Sequence, residues 1–482
     1  MGRKYFVGVD SGSQSTKVSL IDQDGTVVCS ASQPLRPMIH RKPGWVEHPD
    51  DDLWDSLKVA LRRLLERFDG DPAHIVGLGL CAIRCCRVFL KADGSLAAPV
   101  MSWMDVRAYE TYQDDPAIAY TGSTSGYLTF RLTGELKDTI ANAFQHQFPT
   151  DMETWNWSQN PKHFGKFGIP REKLLEMHLP GEILGRVTAD AARDTGLPQG
   201  LPVVSTANDK AVEALGSGLI EPGTGLLSLG TYITSMVYGE KYRAHTEHFF
   251  TNLASVPYRY LYESRGIRAG MGHISWFKKL LGDEFEERAR RNGHGSAEEL
   301  LEEEAQAVPA GSDGLLIAPD WLAPSNALHR KGVMIGLDLH HTRAHIYRAL
   351  MEGIALRMKN NFDDMNRELG VKPERLIVCG GGSNSSLFMQ IVADVFGVTA
   401  VRTAINGAAA LGAAIAAAVA TDHYSTFEEA VERMVHIKDS FHYDEKRRRA
   451  YDRINREAFR ELPTLLEPTL QRIQSLRSDL DL

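Results

Sequence analysis

At the start of the chain, short runs of β-formers alternate with small and polar residues: YFVGV (5–9), VSLID (18–22) and TVVCS (26–30). The last two are separated by Gln23-Asp24-Gly25, so the pattern predicts strands and a hairpin. Leu53, Trp54, Leu57, Leu61, Leu64, Leu65 and Phe68 then recur at helical spacing behind an Asp-rich start, which predicts a helix over about 50–68. IVGLGL (75–80) and CCRVFL (85–90) predict two more strands, the first of them buried. The arrangement restarts near residue 225 with GLLSLG (225–230), a turn at Thr231-Tyr232 and ITSMVYG (233–239). Between the halves, GSGLIEPGTG (216–225) reads as a hinge. A long periodic helix follows at about 342–369, then RLIVC (375–379), the glycine turn GGGSNS (380–385), a helix over LFMQIVADVF, the strand VTAV (398–401) and an alanine-rich helix. Strand, glycine turn, helix and strand make a βαβ unit with parallel strands. The expectation is an α/β protein of two related halves, 1–220 and 221–482, each offering a hydroxyl-rich turn to a shared cleft.

Composition narrows the class of function. The 482 residues carry 54 Lys+Arg against 62 Asp+Glu, a net charge of -8, with 43% hydrophobic and 24% charged residues. That is ordinary globular material, without the basic excess of a nucleic-acid binder. A mildly acidic chain binds a polyanion such as ATP through a local set of backbone donors and a metal. The longest apolar run, Ala408–Ala420, is too short and too rich in alanine for a membrane span. No signal peptide is read at the N-terminus, and the five cysteines are few and odd in number, so a reduced, cytoplasmic protein is expected.

Three turns follow directly on strands: Asp10-Ser11-Gly12-Ser13-Gln14-Ser15-Thr16-Lys17, Leu229-Gly230-Thr231-Tyr232 and Gly380-Gly381-Gly382-Ser383. Small residues there let backbone N–H groups approach phosphate oxygens, and an Asp at a strand end holds magnesium through water. None has Walker A or G-x-G-x-x-G spacing, and each alone is equally a sharp turn that needs glycine. In LPVVSTANDKAVEALGSG (201–218) a strand ends and a helix begins at Asn208-Asp209-Lys210. Asp209 there is either a reactive carboxylate at a sheet edge or a helix N-cap. Cys81, Cys85 and Cys86 lack partners at zinc spacing and read as buried thiols, His341 and His345 lack a third ligand, and Lys446–Arg449 reads as a solvated helix face.

Taken together, these segments resemble the FGGY carbohydrate kinases, a family that includes glycerol, xylulose, gluconate and ribulose kinases. VGVDSGSQSTKVSLIDQDG resembles the family's first phosphate motif, SWMDVR (102–107) its W-x-D-x-R sugar segment, and GYLTFRLTGE (126–135) its Y-L…L-T-G-E stretch. STANDKAVEALGSG is similar to the segment of the catalytic Asp, LLSLGTY to the second phosphate motif, GVMIGLDLHHTRAHIYRALME to the long C-terminal signature, and CGGGSNSSLFMQIVADVFG to the adenosine segment. The resemblance implies two actin-like (ribonuclease H-like) domains with a central cleft, and transfer of the γ-phosphate of ATP to a hydroxyl of a small sugar, ketose, polyol or sugar acid. It makes Asp209 the general base and Asp10 the group that orients hydrated Mg2+. Ser13, Ser15 and Thr16 would stand near the phosphates, with Gly230 and Thr231 facing them from the second domain. Gly380, Gly381, Gly382 and Ser385 would border the α-phosphate and adenosine. Arg84, Trp103 and Asp105, with Asp209, would contact the sugar. It implies no nucleic-acid or membrane partner and a homodimer as the default assembly. Three departures bear on the substrate: Asn208 where the family usually has Gly, Cys85-Cys86 beside Arg84, and a short interval between Arg107 and Gly126. An inactive ATP- and sugar-binding regulator on the same scaffold is the alternative.

Overall fold

The computed structural model describes residues 2–324 and 327–479. Two mixed sheets form its centre. The first contains β1 (Tyr5–Ser11), β2 (Ser15–Asp22), β3 (Val27–Pro34), β4 (Ile75–Ala82), β5 (Ile183–Arg186) and β6 (Pro202–Asn208), in the order β5-β6-β4-β1-β2-β3. β1 runs antiparallel to β2 with Tyr5 opposite Asp22 and Ser11 opposite Thr16, while β4 lies parallel to β1 and to β6. Gly25, at φ 81°, turns the chain from β2 into β3 as the sequence predicts. Helix α1 (Asp52–Glu66) buries Leu53, Trp54, Leu57, Leu61 and Leu64 against β2 and β3.

The second sheet repeats the plan: β7 (Thr224–Leu229), β8 (Ile233–Gly239), β9 (Phe249–Leu253), β10 (Tyr260–Ser264), β11 (Arg375–Cys379), β12 (Thr399–Thr403) and β13 (Ile437–Phe441), ordered β9-β10-β8-β7-β11-β12-β13. β7 pairs antiparallel with β8 and parallel with β11, as β1 does with β2 and β4. Parallel neighbours put the strand ends, and the turns that leave them, on one edge of each sheet. The remaining helices named below are α2 (Asp209–Gly216), α3 (Arg343–Leu369), α4 (Ser386–Phe396), α5 (Ala408–Ala420) and α6 (Phe427–Met434).

Two expectations need correction. A strand over 85–90 is realised only at Val88–Leu90, because Cys85 takes φ 63° and bends the chain first. The division at 220/221 separates the two sheets but not all that packs on them. α5 and α6 come late in the chain yet lie on the first sheet, where Leu411, Ala414, Ile415 and Met434 share a core with Phe6, Ile21, Val204 and Leu215. α5 approaches so closely that a Cβ on Gly8 would stand 1.9 Å from the Ala410 carbonyl oxygen, and one on Gly79 1.9 Å from that of Ala413. The alanine run is therefore a packing surface for backbone, and no helix among the described residues is long and apolar enough to cross a membrane.

Candidate active site

β6 ends and α2 begins in the space between the sheets. Asn208 does the capping: its Oδ1 accepts from the Ala211 N–H at 3.1 Å, and its Nδ2 donates to the Ala141 carbonyl at 3.1 Å. Asp209, the first helical residue, is thereby released from the cap role. Its side chain keeps 31% of its surface open, yet Oδ1 is itself buried and accepts no hydrogen bond. Burial raises its proton affinity above the ordinary carboxylate value; Arg84 and Lys210 oppose that shift, and Glu213 and Glu263 add to it.

Arg84 reaches across the gap. Its two outer nitrogens donate to Glu263 Oε2 at 2.8 Å and Oε1 at 2.9 Å, and its Nε lies 3.7 Å from Asp209 Oδ1. Glu263, on β10 of the second sheet, is 0% exposed and also accepts from Asn252 Nδ2 at 2.6 Å. A second tie runs alongside. Lys210 Nζ donates to Glu213 Oε2 at 2.7 Å and to Ser228 Oγ at 2.8 Å, joining α2 to β7. Both lobes are thus fastened around Asp209 by charge-assisted pairs.

Asp10 is the penultimate residue of β1, at the same edge. Burial lifts its pKa to about 6, with Lys17, at 4.0 Å, pulling it down and Asp209 and Glu213 pushing it up. Between 3.8 and about 6 the folded chain therefore holds a proton that the unfolded chain has released, so its stability falls as pH rises through that window. Asp10→Asn, which does not titrate, is expected to gain on the order of 2–3 kcal/mol over the wild type above pH ~7 and nearly nothing at pH ~4, read from urea melts.

The three glycine turns converge here. Gly12 N–H donates to the Ser15 carbonyl at 3.1 Å, closing the first turn with Ser13 and Ser15 half-buried. Gly380 has φ 83°, and a Cβ on it would stand 2.7 Å from the Leu229 carbonyl carbon and oxygen, so the third turn nests on the second. Gly382 is buried against Leu229 and Met271, while Gly381 and Thr231 are open to solvent and Gly230 accepts from the Met271 N–H at 2.9 Å. Gly380→Ala combines strain with a clash against backbone. It is expected to cost about 1–3 kcal/mol of stability, which a urea melt against the wild type would show.

The sequence matches the N-terminal domain of the FGGY family of carbohydrate kinases over residues 5–115 and 114–216, and the family's C-terminal domain over residues 225–421. The chain belongs to the FGGY family of carbohydrate kinases. It is 46% identical over 463 residues to the uncharacterized sugar kinase YgcE of Escherichia coli, covering 96% of this chain and 94% of that one. The crystal structure of xylulose kinase from Rhodospirillum rubrum superposes with a TM-score of 0.80 at 26% identity, covering 97% of this chain and all of that one. Gluconate kinase from Lactobacillus acidophilus, 18% identical, shares the fold at a TM-score of 0.82 over 98% of this chain and all of its own. The two actin-like domains and the ATP-dependent phosphotransferase activity toward a carbohydrate hydroxyl follow from membership of the FGGY family, and the inactive-regulator alternative falls away.

Not every residue marked by the FGGY resemblance faces the cleft. Trp103 is 40% exposed, and its carbonyl accepts from Tyr109 Oη at 3.1 Å. Asp105 is 0% exposed, and its oxygens take Val46 N–H at 2.8 Å, Arg107 N–H at 3.0 Å, and Arg107 Nε and Nη2 at 2.9 and 2.6 Å. With both oxygens occupied, Asp105 shapes the loop that carries Trp103 and has none free for a sugar. Thr16 points to the other face of β2, where its Oγ1 meets Ser56 Oγ of α1 at 2.7 Å, so it fastens α1 to the sheet. Ser385 caps α4, accepting from the Phe388 N–H at 3.0 Å.

Four residues escaped the sequence reading: Lys210, Glu213, Glu263 and Asn142. A signal existed for the first three. Lys210 and Glu213 stand one turn apart beside Asp209, and Glu263 is a lone carboxylate inside a strand, YLYES, buried at every position. For Asn142 there was none, because nothing local distinguishes it from any other short-turn asparagine.

Proposed function

We propose that Asp209 is the general base, taking the proton of the acceptor hydroxyl as its oxygen attacks the γ-phosphorus of ATP. One observation supports this reading: Asp209 Oδ1 is buried, accepts no hydrogen bond among the described residues and is of raised proton affinity, between lobes that each bring glycine turns to the same gap. Ser13, Ser15, Gly230 and Thr231 line the phosphate path in this proposal, and Gly380, Gly381 and Gly382 the adenosine end. Trp103 gives the acceptor an apolar face, and Arg84 stands beside the base.

Asp10 fits the ligand set of a hydrated Mg2+, a strand-end carboxylate whose ion partner, Lys17, is no closer than 4.0 Å and which lies in the field of Asp209. When bound, the ion neutralises charge on the phosphate oxygens. Asp10 holds its water shell, and Lys17 balances Asp10 when the ion is away. The two ties, Arg84–Glu263 and Lys210–Ser228, keep the lobes together around the reacting groups, so that water is excluded and ATP is kept from hydrolysis. ADP release measured across pentuloses, hexuloses, polyols and aldonic acids tests the reading. Turnover with one class supports it, and no acceptor-dependent ADP release from any of them refutes it. A homodimer belongs to the same proposal; sedimentation at the mass of one chain would refute that part.

A further inference from the structure

A narrow recess opens beside Asp209, with walls from both lobes: Arg84, Asn142, Gln145 and Asn208 on one side, Thr251 and Asn252 on the other. It has room for about one hydroxyl-sized group. From its chemistry we infer that the phosphoryl acceptor is an uncharged polyol or ketose, with one hydroxyl donating to Asn142, and that Glu263 sets this preference by neutralising Arg84. The inference rests on the kinase reading above and narrows its substrate class.

Charge is the first ground. Among the described residues Arg84 is the only cation lining the recess, and both outer nitrogens of its guanidinium are engaged by a carboxylate that is 0% exposed. The other guanidinium of that wall, Arg87, is 2% exposed, does not line the recess, and donates to the Glu110 and Gln147 carbonyls at 3.1 and 2.6 Å. Lys210 is held by Glu213. A substrate carboxylate in the recess would therefore meet no free cation, and it would lie in the field of Asp209 and Glu263. Amides and hydroxyls make up the rest of its polar lining.

The second ground is the orientation of Asn142, which is 3% exposed. Ser123 and Ser125 each donate to Asp138, both at 2.5 Å, which uses the one proton of each hydroxyl. Ser125 Oγ therefore accepts from Asn142, whose Nδ2 lies 3.0 Å away, and this fixes which way the amide faces. Asn142 Oδ1 is left buried with no partner, in a residue that lines the recess. A lone acceptor there calls for a donor. A hydroxyl supplies one; a carboxylate brings only further acceptors.

The test compares kcat/KM for neutral acceptors (pentitols, pentuloses, hexitols, hexuloses) with aldonates of matched chain length, in the wild type, Glu263→Gln and Asn142→Leu. The wild type should favour the best neutral acceptor by at least about 100-fold. Glu263→Gln, by freeing Arg84, should shrink that ratio about 10-fold or more through a lower KM for the aldonate. Asn142→Leu should raise KM for the neutral acceptor about 10-fold, with kcat changed less. The wild-type ratio needs no variant to fold, and ADP affinity checks that each variant is intact. An aldonate used as well as or better than every neutral acceptor overturns the substrate class, as does a panel in which no neutral acceptor is turned over. An unchanged ratio in Glu263→Gln overturns the role of Glu263. Activity retained in Asp209→Asn would instead overturn the assignment of the base, and leaves the ratio to be read on its own.

Discussion

Asp209→Asn is expected to lower kcat by roughly 10²–10⁴-fold, the range that general-base catalysis contributes, while ATP affinity changes little. The substitution keeps the size of the side chain and the cap made by Asn208, so α2 starts where it did. What disappears is the ability to take a proton at a buried oxygen that accepts no hydrogen bond among the described residues. The wild type should also lose kcat/KM on acidification: the base works deprotonated, and its pKa lies above the ordinary carboxylate value because of burial. An acid limb that persists unchanged in Asp209→Asn would assign it to another group, with Asp10 and its pKa of about 6 the nearest choice. Isothermal titration with ADP alongside steady-state kinetics separates lost chemistry from lost binding.

The second large effect is on stability. Arg84→Met leaves Glu263, with 0% exposure, as a buried carboxylate whose remaining partner is the Asn252 amide. Breaking such a pair from one side costs about 3–5 kcal/mol, because the orphaned charge keeps its desolvation penalty. Removing both charges in Arg84→Met/Glu263→Met is expected to recover most of that loss. A urea melt of the two variants against the wild type checks this. If the double variant is as unstable as the single one, the pair's contribution is packing and not charge. Neither variant is expected to turn over at the wild-type rate, since both remove the cation beside Asp209.

The sequence was most informative where periodicity and punctuation agreed. The hairpin around Gly25, helix α1, the restart at residue 225 and the βαβ unit after Cys379 all stand where hydrophobic spacing and glycine put them. The strand-to-helix junction at Asp209 is visible in sequence, but whether Asp209 caps the helix is not. That depends on Asn208 Oδ1 reaching the Ala211 N–H, a matter of rotamer. Thr16 and Ser385 stand in the right turns, yet one faces α1 and the other caps α4. Motif membership fixes a backbone position and leaves open which group the hydroxyl meets. Asp105 was misjudged for the same reason, its oxygens being taken by Val46, 59 positions away, and by Arg107. The ion pair of Arg84 with Glu263 joins residues 179 positions apart and has no local signature. The placement of α5 on the first sheet was hidden likewise, since an alanine run says that something approaches closely but not what.

That helix has a consequence for how the protein is made. On the ribosome the first sheet is complete in sequence once Asn208 has emerged, but the layer that covers Phe6, Ile21 and Leu215 is encoded from Ala408 onward. At 5–20 residues per second the roughly 200 intervening residues take roughly 10–40 s to translate, during which an oily sheet surface stays bare on the nascent chain. A message truncated near codon 220 should therefore yield an insoluble, chaperone-bound product rather than a free-standing N-terminal lobe.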